Sequence, residues 1–257
     1  MDFKIGDFVT RNSYNNDTVF KIIDIDKNIV KLKGVDIRLF ADSSIEDLVK
    51  CDYIVNDEEF FNRINLKENM DRSEYFYLPA KILHIDGDKD YLNRCMEFYK
   101  KANIFAVGEH VKESDVAITI NKLLKKYKPD ILIITGHDAI NKTKDINDIY
   151  NYKNSKNFVN AVFSARDYEK SHEKLVIIAG ACQSDYEALI KAGANFASSP
   201  KRINIHALDP AIIATTLALT EKGYEIDLIE LLKKTKYGKD GMGGLKSKGM
   251  MYVGYPR

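Results

Sequence analysis

Four short apolar segments, separated by stretches of helical periodicity, constrain the fold of this chain more than any other feature. The apolar segments are KILHID (81–86), IFAV (104–107), DILIIT (130–135) and LVIIA (175–179). Apolar residues recur at helical spacing in the segments that follow them, which are 88–101, 113–127, 154–169 and 184–191. Continuous apolar strands that alternate with helices predict a parallel sheet covered on both faces. The prediction is therefore an α/β/α sandwich over residues 80–235.

The sequence on either side of this region has a different character. Short β-rich pieces at 8–9, 18–23, 29–32 and 35–39 are separated by turn-forming residues. They predict a small β-barrel-like (SH3-like) module over residues 1–50. Residues 51–79 are polar and acidic, and are predicted to be a linker with one short helix. Residues 236–257 form a glycine-rich tail, for which a terminal hairpin and a mobile flap are both open.

The charge balance and the cysteines narrow the class of protein. Lys and Arg number 39 and Asp and Glu 38, a net charge of +1, which argues against a surface built to bind nucleic acid or membranes. Cys51, Cys95 and Cys182 lack paired spacing and indicate a reducing compartment rather than a disulfide framework. The first residues show no basic region followed by a long apolar run, so no signal peptide is expected. We therefore expect a cytoplasmic globular protein, with an enzyme as the leading class.

Two of the predicted strands end in the same way, with small residues followed by one reactive side chain. DILIIT is followed by Gly136 and His137, and LVIIA by Gly180, Ala181 and Cys182. Because the carboxyl ends of parallel strands meet at one edge of a sheet, we expect His137 and Cys182 to emerge side by side. A nearby imidazole can take the proton of a thiol and later deliver it to a leaving amine. The alternative is a buried cysteine and a hydrogen-bonded histidine with structural roles only.

The residues around this pair suit a peptide substrate. Gly180 and Ala181 would let a substrate backbone approach closely, and backbone N–H groups near Cys182 would hold a developing oxyanion. A helix that opens at about Ser184 would favour the thiolate through its dipole. The sequence has no His-x-x-x-His or Cys-x-x-Cys spacing, so a zinc site is not expected. A cysteine–histidine mechanism needs neither a metal nor an organic cofactor, so none is predicted.

The order of these motifs resembles that of the caspase-like cysteine peptidases. An apolar strand and a histidine are followed, 45 residues later (182 − 137), by a second apolar strand and Ala-Cys. The chain departs from the caspase pattern at two places. It has Gly180 where caspases have a glutamine, and Asp138 follows the histidine where caspases have a glycine, while Gly136 precedes it. The second oxyanion donor therefore stays open, with the backbones of Gly136 and Asp138 as candidates.

The resemblance to a narrower family, the YabG sporulation-specific peptidases, runs from end to end. It is carried by KIGDFVTRNSYNNDTVFKIIDI (4–25), ILIITGHD (131–138) and IIAGACQSDYEALIKAGANFASSPKRINIHALDP (177–210). The resemblance implies a cysteine endopeptidase that processes spore coat and germination-related proteins. It implies action in the mother cell with association with the spore coat, cleavage after Arg, and His137 and Cys182 as the catalytic pair. Protein substrates are then the expected partners, with neither nucleic acid nor membrane among them.

Cleavage after a basic residue requires an acid in the specificity pocket. In the wider caspase-like group the end of the first core strand helps to form this pocket, and the matching residues are Asp86 and Asp88. Asp88 is also well placed to cap the helix that follows. Weaker candidates for the pocket acid are Asp138 and Asp185. Within the linker, two basic residues are predicted self-cleavage points, Arg63 and Arg72.

A non-catalytic binding module is the main alternative function. A flavodoxin-like or receiver-like domain has the same alternation of strands and helices, and Asp86 and Asp88 would form its acidic cluster. That interpretation gives no reason for Cys182 and His137 to follow neighbouring strands. A different thiol enzyme, such as an amidase, is a second alternative.

Overall fold

The computed structural model describes residues 3–64, 73–141 and 143–256. The chain divides into two compact units, Met1–Asp57 and Glu58–Arg257. The boundary between them falls inside the stretch predicted to be a linker. In the described part of the chain, no helix combines the length and the apolar character needed to cross a bilayer.

The N-terminal unit is a five-stranded antiparallel sheet around a small apolar core. Its strands are β1 (Phe8–Arg11), β2 (Phe20–Asp26), β3 (Ile29–Gly34), β4 (Phe40–Ser44) and β5 (Leu48–Lys50), in the order β4-β3-β2-β1-β5. Alternate apolar residues point into the core, which contains Val9, Phe20, Ile22, Val30, Leu32 and Leu48. The unit is thus a β-module, and its SH3-like character stays a prediction.

One predicted strand in this unit is wrong. Residues 35–39 do not form a strand, because the chain turns there and the Gly34 N–H donates to the Leu39 carbonyl at 2.7 Å. The strand begins instead at Phe40, in a segment whose alternating polar residues gave a weak strand signal.

The C-terminal unit contains the predicted alternation of strands and helices. Its first elements are α1 (Glu58–Asn62), β6 (Phe76–Leu78), β7 (Ile82–Asp86), α2 (Lys89–Lys101), β8 (Ala106–His110), α3 (Val116–Tyr127), β9 (Ile131–Thr135) and α4 (Ser155–Tyr168). They are followed by β10 (Val176–Ala179), α5 (Tyr186–Lys191), β11 (Phe196–Ser198), α6 (Asp209–Leu219), α7 (Leu228–Lys233), β12 (Met242–Gly244) and β13 (Tyr252–Gly254).

The main sheet has six strands in the order β12-β11-β10-β9-β7-β8, and all pairs are parallel except the one between β11 and β12. Every residue of β7, β9, β10 and β11 is buried, as expected for strands with helices on both faces. Apolar residues of α3, α4 and α5 pack against one face of the sheet. The α/β class is confirmed, and the caspase-like architecture stays a prediction.

The glycine-rich tail is neither a hairpin nor a flap. Its two strands join different sheets, since β12 pairs with β11 at the edge of the main sheet and β13 pairs with β6. The stretch predicted to be a linker also contributes structure, with α1 in its first half and β6 near its end.

The adjacency of β9 and β10 positions the candidate site. Their residues pair in parallel from Ile131 with Val176 to Ile134 with Ala179, a constant offset of 45 residues (176 − 131). His137 and Cys182 have the same offset, so they occupy equivalent positions beyond the two strands. The predicted neighbourhood of the two strands is thereby confirmed.

Candidate active site

The turn after β10 carries Cys182 between two residues with left-handed backbone. Gly180 has φ of +102° and Gln183 has φ of +57°. A Cβ on Gly180 would also lie 2.7 Å from Leu189 Cδ1, so only glycine fits there without strain. The Gln183 N–H donates to Ser199 Oγ at 3.0 Å, which holds the turn in place.

The Cys182 side chain is buried, with 0% of its surface exposed. Among its partners is Ile205, whose backbone N–H donates to the sulfur at 3.2 Å and whose carbonyl oxygen lies 3.7 Å from it. A hydrogen bond from a backbone N–H favours a negatively charged sulfur over a neutral one. The helix predicted to open at Ser184 begins instead at Tyr186 and has only six residues, because the side chain of Asp185 caps it there. The helix therefore begins four residues after Cys182, and the backbone N–H of Ile205, rather than a helix that opens at Ser184, supplies a contact that favours the thiolate.

The His137 imidazole lies at the carboxyl end of β9 and is held by a carboxylate. Its Nε2 is 2.9 Å from Asp88 Oδ2, and the histidine side chain is 13% exposed. The backbone at the same residue is also fixed, because the His137 N–H donates to Glu113 Oε1 at 2.8 Å and Asn154 Nδ2 donates to the His137 carbonyl at 2.8 Å. Both the ring and the main chain of His137 are thus oriented by specific polar contacts.

Asp88 has two structural tasks at once. Its Oδ1 accepts hydrogen bonds from the backbone N–H groups of Asp90 and Tyr91, at 2.9 and 3.2 Å, and so caps α2. Its Oδ2 is the atom bonded to His137. The predicted helix cap is confirmed, and the carboxylate also serves the histidine, which the sequence did not indicate.

Asp86 is the last residue of β7 and is completely buried. Its Oδ1 accepts from the Asp88 N–H at 2.9 Å, and its Oδ2 lies 3.6 Å from His84 Nε2. On the neighbouring strand its register partner is Thr135, whose buried hydroxyl has no hydrogen-bond partner among the described residues. Paired residues of adjacent strands point to the same face, so the acid and this hydroxyl lie side by side.

Asp138 is buried and binds four groups. Its carboxylate accepts from Ser155 Oγ at 2.5 Å, from Ser184 Oγ at 2.9 Å, and from two backbone N–H groups, those of Ala139 and Asn154. Burial raises the pKa of this carboxyl group, and the four hydrogen bonds oppose that rise. The side chain is thus part of a buried network that reaches from the β9 turn to the β10 turn.

Glu113 is a member of the site that the sequence interpretation missed. It lies just past β8, and its carboxylate contacts the turn after β9, since a Cβ on Gly136 would be 2.5 Å from Glu113 Oε1. Gly136 is therefore the residue that leaves room for this carboxylate. An acid shortly after a core strand is the available signal, but the helical spacing predicts that Glu113 begins the next helix, which in the structure starts three residues later at Val116.

The remaining predicted residues have contacts of their own. Asp185 caps α5 and pairs with Arg202 at 3.3 Å, and Ala181 is buried inside the turn before Cys182. Arg63 lies directly after the end of α1 and pairs with Glu59 of that helix. The other predicted self-cleavage point, Arg72, lies outside the described residues. Within the described ranges, no group of three or more His, Cys, Asp or Glu side chains is arranged to hold a metal ion.

The comparison with known families identifies the chain. The model of the YabG peptidase family, described as YabG peptidase U57, matches residues 4–256. The chain belongs to the YabG peptidase family. It is also 41% identical to the sporulation-specific protease YabG of Bacillus subtilis (strain 168), in an alignment that covers 100% of this chain and 99% of that protein.

Membership in the YabG family confirms the resemblance predicted from the sequence and establishes a peptidase role in sporulation. It argues against the non-catalytic binding module. The substrates of a YabG peptidase are proteins, which agrees with the expected class of partner. In this family member, the sheet edge that joins Asp88, His137 and the Cys182 turn is the candidate active site.

Proposed function

We propose that this YabG peptidase is a cysteine endopeptidase that uses Cys182 as nucleophile and His137 as general base and acid. The observation that carries this proposal is that the two residues follow adjacent parallel strands at equivalent positions, with a carboxylate on the imidazole. A thiol, an imidazole and an orienting acid form the arrangement that activates a nucleophile. Proteins of the spore coat and of germination are the proposed substrates, in the mother cell, and no cofactor takes part.

The hydrogen bond between His137 and Asp88 defines the proton path. Because Nε2 is bound to the carboxylate, Nδ1 is the ring nitrogen that takes the proton of Cys182. The thiolate attacks the carbonyl carbon of the scissile bond, and the imidazolium gives its proton to the departing amine. Water then hydrolyses the acyl-enzyme with His137 as base. Since Cys182 is buried, the chain around the sulfur must open for a polypeptide to reach it.

The backbone N–H of Asp138 is the proposed second oxyanion donor. Within residues 3–64, 73–141 and 143–256 this N–H has no acceptor, and it follows His137 directly. By contrast, the N–H groups of Gly180 and Ala181 already donate to Ile134 O at 3.0 Å and to Ser184 Oγ at 2.9 Å. Gly180 and Ala181 are therefore assigned to shaping the turn, and the N–H of Cys182 to the first oxyanion contact.

Asp86 is the proposed acid of the specificity pocket for an arginine side chain. Asp88 holds the imidazole of His137 and caps α2, so drawing it to a substrate side chain would disturb the catalytic pair, which makes it the weaker choice. Asp86 is buried beside the hydroxyl of Thr135, and together they supply two acceptors for the several N–H groups of a guanidinium. A lysine ammonium, a compact point charge, would match this pair of acceptors less well.

The pocket proposal predicts a selective loss in an Asp86→Asn variant. We expect kcat/KM for peptides with Arg before the scissile bond to fall about 100-fold. A loss of this size corresponds to one charge-assisted hydrogen bond worth about 3 kcal/mol. The matched variant Thr135→Val, which removes one neutral acceptor, should lose about 10-fold. Fluorogenic peptides that differ only at this position measure both effects. An unchanged preference for Arg in Asp86→Asn would rule Asp86 out as the pocket acid.

The reactivity of the three cysteines tests the nucleophile. An ordinary thiol with a pKa of about 8.5 is about 3% ionised at pH 7, so a fully ionised Cys182 should react about 30-fold faster with iodoacetamide. Burial, together with the charge of Asp52, raises the pKa of Cys51, and Cys95 is buried on α2, so both serve as internal controls. Mass spectrometry of labelled peptides gives the three rates. Equally slow labelling of all three cysteines would show that Cys182 is not an activated and reachable thiol, which would contradict its role as the nucleophile.

A further inference from the structure

We propose that Asp138 is a positioning residue, which fixes the turn of His137 relative to the turn of Cys182 through one buried carboxylate. This inference rests on the proposed function, because it assigns a task in aligning those two groups.

One oxygen of Asp138 reaches the Cys182 turn. Ser184 Oγ donates to Asp138 Oδ2 at 2.9 Å, and the same hydroxyl accepts from the Ala181 N–H at 2.9 Å. Ser184 is thus hydrogen-bonded to Ala181, the residue before Cys182, and is itself the second residue after Cys182. A displacement of the carboxylate would therefore act on both sides of the nucleophile.

The other contacts of Asp138 anchor the His137 turn to the start of α4. Asp138 Oδ1 accepts from the Asn154 N–H at 2.7 Å, while Asn154 Nδ2 donates to the His137 carbonyl at 2.8 Å. Ser155 Oγ donates to Asp138 Oδ2 and accepts from the Asp185 N–H at 2.7 Å. The network thus joins three parts of the chain, the turns after β9 and β10 and the first residues of α4.

The direction of these hydrogen bonds requires a carboxylate. Each serine hydroxyl accepts from a backbone N–H and so directs its own hydrogen at Asp138, and two further N–H groups do the same. Four donors converge on one side chain that has no hydrogen to offer when ionised. An asparagine of the same shape would place an NH₂ group against two hydroxyl hydrogens, so both serines would have to rotate.

The effect on catalysis follows from the position of the network. The Asp138 side chain is turned to Ser155, Ser184 and the backbone, so it acts on the imidazole through the main chain. Misplacement of reacting groups by about 1 Å costs about 100-fold in rate, because proton transfer and attack depend steeply on geometry. A small relative shift of the two turns would be enough to produce such a loss.

The test compares the full-length Asp138→Asn variant with the parent enzyme. We expect kcat to fall about 100-fold while KM changes by less than about threefold, since substrate contacts remain. The pH at which Cys182 becomes half reactive toward iodoacetamide should rise toward that of an ordinary thiol, because the thiolate depends on a nearby imidazolium. Asp227→Asn, at the start of the remote helix α7, is the matched control and should change neither quantity.

The outcomes separate this inference from the proposed function. A folded Asp138→Asn enzyme with unchanged kcat and unchanged thiol titration would overturn the positioning role, even if its melting temperature fell. If that variant does not fold, Ser184→Ala provides the test. We expect the same shift of the thiol titration and a loss of about 10-fold in kcat. Parental values of both quantities in Ser184→Ala would contradict the positioning role. Failure of the proposed function itself would be seen in Cys182→Ala, which would then retain cleavage.

Discussion

A Cys182→Ala variant is expected to lose peptide cleavage by a factor of about 10⁴ or more, because removal of a nucleophile leaves only substrate binding and oxyanion contacts. Its fold should be retained, since alanine fits in the volume that the cysteine leaves and the turn is held by Gln183 and Ser184. Turnover of a fluorogenic peptide and thermal unfolding of the same preparation measure the two quantities.

Cys95→Ala is the matched control for this experiment. Cys95 is as buried as Cys182, and its sulfur also contacts a backbone carbonyl, that of Ala207 at 3.5 Å. It lies in the middle of α2 and not in the turn that follows a strand, so its removal should leave kcat/KM within about twofold, while stability changes as for any small buried truncation. Full activity of Cys182→Ala, or equal losses in both variants, would end the assignment of Cys182 as nucleophile.

An Asp88→Asn variant is expected to lose about 10⁴-fold in kcat with almost no loss of stability. Asparagine caps a helix about as well as aspartate, so the start of α2 should be preserved. The amide that replaces Oδ2 cannot hold the imidazole in the orientation that accepts the thiol proton, and the corresponding change in a Ser-His-Asp peptidase has an effect of this size. Steady-state kinetics and chemical denaturation of one preparation test both halves of the prediction.

Asp88→Ala separates the two tasks of this residue. It should show the same kinetic defect and in addition lose about 1 kcal/mol of the free energy of unfolding, because the cap is lost too. An Asp88→Asn enzyme with parental kcat would show that His137 needs no carboxylate at Nε2. The imidazole would then be oriented by its backbone contacts with Glu113 and Asn154 alone.

The sequence predicted the frame of the site because that frame follows from local patterns. All residues of β9, from Ile131 to Thr135, are apolar or β-branched, so this strand and the similar β10 could be identified from composition and length alone. Once both strands were assigned to a parallel sheet, the position of His137 beside the Cys182 turn followed from geometry. The helix cap at Asp88 was predictable for the same reason, since capping depends on the next three residues only.

The contacts that hold Cys182 and His137 in place could not be predicted from the sequence, because they join distant parts of the chain. Ile205 meets the sulfur of Cys182 from 23 residues away (205 − 182), and Glu113 reaches the His137 backbone across 24 residues (137 − 113). Local sequence periodicity does not predict such contacts, because they depend on how the loops pack at the edge of the sheet. The pairing of β12 with β11 was missed for a similar reason, as glycine-rich segments carry almost no strand signal.

The double use of Asp88 restricts how this protein can vary. At most helix beginnings serine, threonine and asparagine replace aspartate with little cost. Here the same side chain also accepts a hydrogen bond from the ring of His137, so only a carboxylate of this length at this position can both cap α2 and orient the imidazole. The place where α2 starts is therefore tied to the chemistry, and an insertion or deletion between β7 and α2 would disable the enzyme even if both elements formed normally.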